Sequence, residues 1–215
     1  MQTKQSGNTI ISLNPIIKVV PDSISGKKGL ILLDRDGTLI KSVVRSHTIL
    51  GSARDVHEVS ENQDMYSQVK LWASNNLGIC VISNQPELSN RDLTFQQLDR
   101  IDNFLIEKTK IDVFLYCPHS KQMQCLCRKP GNQMLETALE LFSITRNKTL
   151  MIGDRVIDIR AAAASKIEPI HLIQQEELCT ALPKHVDVNE VCDLTKVVSR
   201  YMFNSEHLLS APEGI

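Results

Sequence analysis

Aromatic residues make up only 4% of this 215-residue chain, and 24 basic residues stand against 25 acidic ones for a formal net charge of -1. Surfaces that bind nucleic acid rely on stacking platforms and a basic field, and neither is supplied here. The same balance gives an anionic membrane nothing to attract. No run approaches the roughly 18 apolar residues of a membrane span, and the opening MQTKQSGNTI lacks the apolar centre of a secretory signal. The expectation is a soluble, cytoplasmic, monomeric protein with a small-molecule partner and neither nucleic acid nor membrane as ligand. An evenly spaced disulfide framework is also missing: three of six cysteines, Cys117, Cys125 and Cys127, crowd one segment, while Cys80, Cys179 and Cys192 sit among apolar neighbours as reduced thiols.

What the chain does have is 42% hydrophobic content, enough for one sizeable core. Residues 1–27 read as an extension of unassigned structure, 28–203 as one domain and 204–215 as a tail. Short continuous apolar runs recur at GLILLD, GICVIS, DVFLY, TLMIGD and EPIHLI, the pattern of strands buried on both faces of a parallel sheet. Helical spacing separates them over 65–74, 93–108, 132–142 and 156–165. Strand and helix alternate, which predicts an α/β doubly wound, Rossmann-like parallel sheet with ligands at the carboxyl ends of its strands.

The chemistry-bearing residues fall at those ends. In LLDRDGTL, Asp34 and Asp36 are one residue apart in extended chain and point the same way, with Gly37 to turn behind them. One carboxylate can attack phosphorus while the other protonates the leaving oxygen and then activates water. Asp and Gly are also ordinary turn residues, so the motif gains weight from TLMIGDRVIDIR, which puts Asp154 at another strand end and Asp158 on the next helix's first turn. Asp34 and Asp154 suit Mg²⁺, which takes oxygen ligands, and Asp158 fits an outer position or a helix N-terminal charge. Ser83 and Asn84 close GICVIS, and Lys129 follows the cysteines in CRKP; together they can hold phosphoryl oxygens the metal does not reach.

DRDGTL, the ISN strand end, the lysine of RKP and GDRVID resemble, in order, the four motifs of the haloacid dehalogenase superfamily of phosphohydrolases over about residues 29–175. The resemblance implies Asp34 as nucleophile, Asp36 as general acid/base, Ser83 and Lys129 as phosphate binders, and magnesium held by Asp34, Asp154 and the Asp36 carbonyl.

Cys117, His119, Cys125 and Cys127 supply a Cys₃His set for a structural Zn²⁺ that leaves no open position. This arrangement resembles the branch containing heptose-bisphosphate phosphatases and bacterial histidinol-phosphate phosphatases. The stretches 36–65 and 84–112 are too short for a large cap domain, so selectivity is expected from short loops, with Asn84, Gln85, Arg45 and Arg128 as substrate contacts. NQPEL and SVVR resemble the heptose side, which implies a sugar bisphosphate. DRDGTLI resembles the histidinol-phosphate side, and Asn90-Arg91 stands where heptose enzymes commonly have Arg-Gly. A third reading, of another class, is an inactive zinc-stabilised binding module.

Overall fold

The computed structural model describes residues 3–6, 9–12, 14–20, 23–46, 49–172, 186–188 and 191–203. The tail expected over 204–215 lies outside them. Strands β1 (Thr3–Ser6) and β2 (Thr9–Ser12) pair with each other, and β3 (Ile16–Val19) follows. Then come β4 (Gly29–Leu33), the antiparallel pair β5 (Val43–Ser46) and β6 (Ile49–Gly51), and α1 (Gln63–Ser74). Next are β7 (Leu77–Asn84), α2 (Glu87–Asn90), α3 (Phe95–Thr109), β8 (Val113–Cys117) and α4 (Gln133–Phe142). The chain continues through β9 (Thr149–Gly153), α5 (Val156–Ala164), β10 (Glu168–Leu172), β11 (Val186–Val188) and α6 (Val191–Phe203).

Seven strands form the central sheet in the order β11-β10-β9-β4-β7-β8-β3. Every neighbouring pair is parallel except β3 and β8. The five apolar runs are the five central strands. β4, β8 and β9 are buried at every position, because helices cover both faces and each backbone polar group is satisfied in the ladder. Alternation divides each strand between two cores. Ile31, Leu33, Ile79, Val81 and Phe114 face α1, α3 and α6; Leu30, Leu32, Cys80, Ile82 and Leu115 face α4 and α5.

Local signals set the helices. Asn62 caps α1 by accepting from the Met65 N–H, and Thr94 with Gln97 forms a capping box on α3. Met65, Val69 and Trp72 make α1's buried stripe, all at 0% exposure, each stabilising the fold by about 1.5–3 kcal/mol. Small residues Ala161 and Ala162 let α5 approach β9 and β10 closely. No cap domain occurs among the described residues, and none of their helices is long and apolar enough to cross a membrane.

The order in which strands are added reverses at β4. From there β7 and β8 are added on one side, and then β9, β10 and β11 on the other. The crevice between β4 and β9 is therefore the topological switch point where such sheets bind ligands.

Candidate active site

β4 and β9 are register neighbours, with Leu33 opposite Ile152, and the Asp34 N–H donates to the Ile152 carbonyl at 3.0 Å. Asp34 and Asp154 thus leave adjacent strand tips, and carboxylate oxygens of Asp34, Asp154 and Asp158 all lie within 4.8 Å of one another. Lys129 enters from the loop before α4. Its ammonium donates to Asp34 Oδ1 at 2.8 Å and to the Ile82 carbonyl at 2.7 Å, and it pairs with Asp158 Oδ1 at 2.6 Å. Asn84 holds the loop in place, its Oδ1 accepting from the Lys129 N–H at 2.9 Å and its Nδ2 donating to the Lys129 carbonyl at 3.1 Å.

Two glycines admit this convergence. Gly37 has φ +95°, and a Cβ there would lie 2.1 Å from Asp154 Oδ2; a Cβ on Gly153 would lie 2.5 Å from Asp158 Oδ2.

Burial pushes the Asp34 carboxyl up to about 8, with Lys129 opposing and Asp158 and Asp154 adding to the rise. Asp154 is pushed up to about 6, first by burial and then by Asp158. Burial works against the Lys129 ammonium, but Asp158 and Asp34 overcome it and raise its pKa. Three carboxylates facing one ammonium form an oxygen-rich, anionic donor set that fits a hard divalent cation. Asp158 also accepts from the Arg155 N–H at 3.1 Å, so it caps α5 as well as pairing with Lys129.

Asp36 sits beside this cluster and takes donors on both oxygens: Arg35 Nε at 3.1 Å and Gln85 Nε2 at 2.9 Å on Oδ2, Arg35 Nη2 and the Ala53 N–H at 3.2 Å on Oδ1. Gln85 also donates to Ser83 Oγ at 3.0 Å and is fully buried. Arg35, between the two aspartates, is another fully buried residue, and no sequence motif singles it out.

Cys117, His119, Cys125 and Cys127 converge at the end of β8. The Cys117–Cys125 and Cys125–Cys127 sulfurs are 3.6 Å apart, and His119 Nδ1 lies 3.4 and 3.1 Å from Cys117 and Cys127. A tetrahedral site with Zn–S near 2.3 Å has sulfurs about 3.8 Å apart, so the set fits zinc. Arg128 donates to the His119 carbonyl at 3.1 Å. Arg45 pairs with both carboxylate oxygens of Glu58 at 2.7 and 2.6 Å and donates to the Ser52 carbonyl, tying the β5–β6 hairpin to the loop that carries the Ala53 N–H. Of the four expected substrate contacts, Arg45, Asn84 and Gln85 hold other parts of the site, and Arg128 braces the cysteine loop.

A family model described as HAD-hydrolase-like matches residues 126–172, from just before Cys127 through Lys129 and Asp154 to the end of β10. Over that stretch the chain is similar to haloacid dehalogenase-like hydrolases. It is 25% identical over 182 residues to the histidine biosynthesis bifunctional protein HisB of Baumannia cicadellinicola subsp. Homalodisca coagulata, covering 79% of this chain and half (50%) of that protein's length. It is 27% identical to the D-glycero-beta-D-manno-heptose-1,7-bisphosphate 7-phosphatase of Pasteurella multocida, covering 80% of this chain and 97% of that one. Among solved structures, the D,D-heptose 1,7-bisphosphate phosphatase of B. bronchiseptica, complexed with magnesium and phosphate, superposes with a TM-score of 0.68 at 20% identity, covering 77% of this chain and 95% of that chain. At that identity the likeness shows the fold alone.

Proposed function

We propose that this chain is a magnesium-dependent phosphomonoester hydrolase that works through an aspartyl-phosphate on Asp34, with a heptose bisphosphate or related sugar phosphate as substrate. The observation that carries the reading is the meeting of Asp34 and Asp154 at adjacent strand tips, with Lys129 bridging Asp34 and Asp158. Asp34 attacks phosphorus; the Asp36 carboxyl gives its proton to the departing alkoxide, then takes one from the water that cleaves the aspartyl-phosphate. Ser83 and Lys129 bind phosphoryl oxygens. Asp34, Asp154 and the Asp36 carbonyl would hold Mg²⁺, whose charge offsets that of the phosphoryl group and the carboxylates. A zinc ion on Cys117, His119, Cys125 and Cys127 would brace the loop that delivers Arg128 and Lys129. A cytoplasmic monomer acting on a small metabolite fits this chemistry.

The likeness to the Pasteurella multocida enzyme over nearly its whole length favours the sugar bisphosphate. The likeness to a protein named for histidine biosynthesis favours a second reading, hydrolysis of histidinol phosphate. Phosphate release from heptose and hexose bisphosphates, their monophosphates and histidinol phosphate, assayed with Mg²⁺, separates the two by kcat/KM. The first reading expects a sugar bisphosphate to lead, and a lead for histidinol phosphate overturns it. Asp34→Asn in the same assay is expected to lose all measurable turnover, since an amide cannot attack phosphorus, and residual turnover near the wild-type rate overturns the nucleophile assignment.

A further inference from the structure

An ionised carboxylate offers about four lone-pair positions, and four protein donors already reach Asp36. Two come from Arg35, whose guanidinium meets the carboxylate as a fork, the geometry that fixes a carboxylate's plane as well as its charge. The fork is itself held. Its Nη2 donates to the Ala53 carbonyl at 3.2 Å, its Cζ lies 5.9 Å from the centre of the Tyr116 ring, and the Tyr116 hydroxyl donates to Asp102. The remaining side-chain donor is Gln85, which joins Asp36 to Ser83 through one nitrogen while its Oε1 is buried without a hydrogen-bond partner. Of the groups that donate to Asp36, only this amide can serve both protonation states of a carboxyl group. Its nitrogen donates to the carboxylate, and turned over, its oxygen accepts from the carboxylic O–H.

We propose that Arg35 and Gln85 are positioning residues for Asp36, the arginine fork fixing the plane of the carboxyl group and the glutamine amide donating to the carboxylate between the two chemical steps and accepting from the carboxylic O–H between turnovers. The inference rests on the phosphatase reading above and assigns Gln85 to the acid/base instead of to substrate. A residue acting through Asp36 matters in proportion to how much the leaving group needs a proton. An alkoxide needs one, and a 4-nitrophenolate does not. Measured by kcat/KM, which for an aspartyl-phosphate mechanism reports enzyme phosphorylation alone, the two leaving groups separate positioning of the acid from general damage.

The test compares wild type, Arg35→Lys, Gln85→Met and Asp36→Asn on hexose 6-phosphate and on 4-nitrophenyl phosphate. General acids contribute roughly 10²–10⁴-fold, so losing their alignment is expected to lower kcat/KM on the sugar phosphate about tenfold or more beyond the loss on the aryl ester. The pattern should copy that of Asp36→Asn in weaker form. Equal losses on both esters in folded Arg35→Lys and Gln85→Met overturn the inference and leave the phosphatase reading standing. A wild type inactive on both esters and on the metabolite panel overturns the phosphatase reading and this inference with it. If Arg35→Lys does not fold, Gln85→Met, close in volume and lacking only the amide, decides by the same ratio.

Discussion

A methyl group on Gly37 would occupy the space of Asp154 Oδ2, 2.1 Å away, at a backbone φ of +95° that side chains rarely tolerate. Gly37→Ala must therefore displace either the turn behind Asp36 or the Asp154 carboxylate. Displacements near 1 Å at a reacting centre can lower rates about 100-fold, so the expected result is a loss of that order in Mg²⁺-dependent turnover together with a weaker Mg²⁺ dependence. Activity titrated against Mg²⁺ reads both, and unchanged activation would place Asp154 outside the metal site. The aspartates, Ser83, Asn84 and Lys129 were legible in the sequence because each ends an apolar run or follows the cysteines at a fixed place in the motif order. Arg35 was not. A charged residue between two aspartates reads as a solvated turn, and its burial follows from Ala53 and Tyr116, which come from distant parts of the chain.

Two short elements carry the surroundings of the site. The β5–β6 hairpin is pinned by Arg45 to Glu58, whose carboxyl is held down to about 2, first by the Arg45 hydrogen bonds and then by the Arg54 N–H. A carboxyl with a lowered folded pKa stabilises above its unfolded value of roughly 4.3, and that contribution is lost as pH falls toward 2. Glu58→Gln should thus remove stability at pH 7 while changing little near pH 2, seen as converging melting temperatures in an acid titration. Parallel curves would show that the pair contributes nothing. The cysteine loop ends two residues before Lys129. Cys125→Ser is expected to lower zinc content and melting temperature and to alter substrate preference more than the chemical step. Full loss of turnover in a folded Cys125→Ser protein would give the loop a catalytic part. The five central strands were legible as continuous apolar runs. By contrast, β3 was not, since a four-residue edge strand with Ile17 and Val19 partly exposed carries no such run. Residues 16–19 of the stretch read as an extension therefore belong to the central sheet. α6 left a signal unread: Leu194 and Val198, one helical turn apart, are buried against α1's core.

At the level of the whole molecule, β3 closes the sheet and Lys18 joins it to α3, pairing with Asp99 at 2.6 Å and Asp102 at 3.7 Å. Burial pushes Asp102 up to about 6, against the Tyr116 hydroxyl and Lys18. A carboxyl with a raised folded pKa keeps its proton longer in the folded state, so stability falls as pH rises from about 4 to about 6 and then levels off. Removing Lys18 raises that pKa further. Lys18→Met should accordingly destabilise more at pH 8 than at pH 5, as denaturant midpoints at the two values would show; an equal shift at both would mean that Asp102 does not sense Lys18. The partner of Ile17 is Leu115, on the opposite side of the chain's first long excursion through α1, β7 and α3. During synthesis on a ribosome, an early segment with the apolar pair Ile16-Ile17 has no seat until β8 has emerged and docked. Birth order and assembly order run oppositely at this border, so the segment that borders the sheet must wait, unpaired, for a strand made about a hundred residues later.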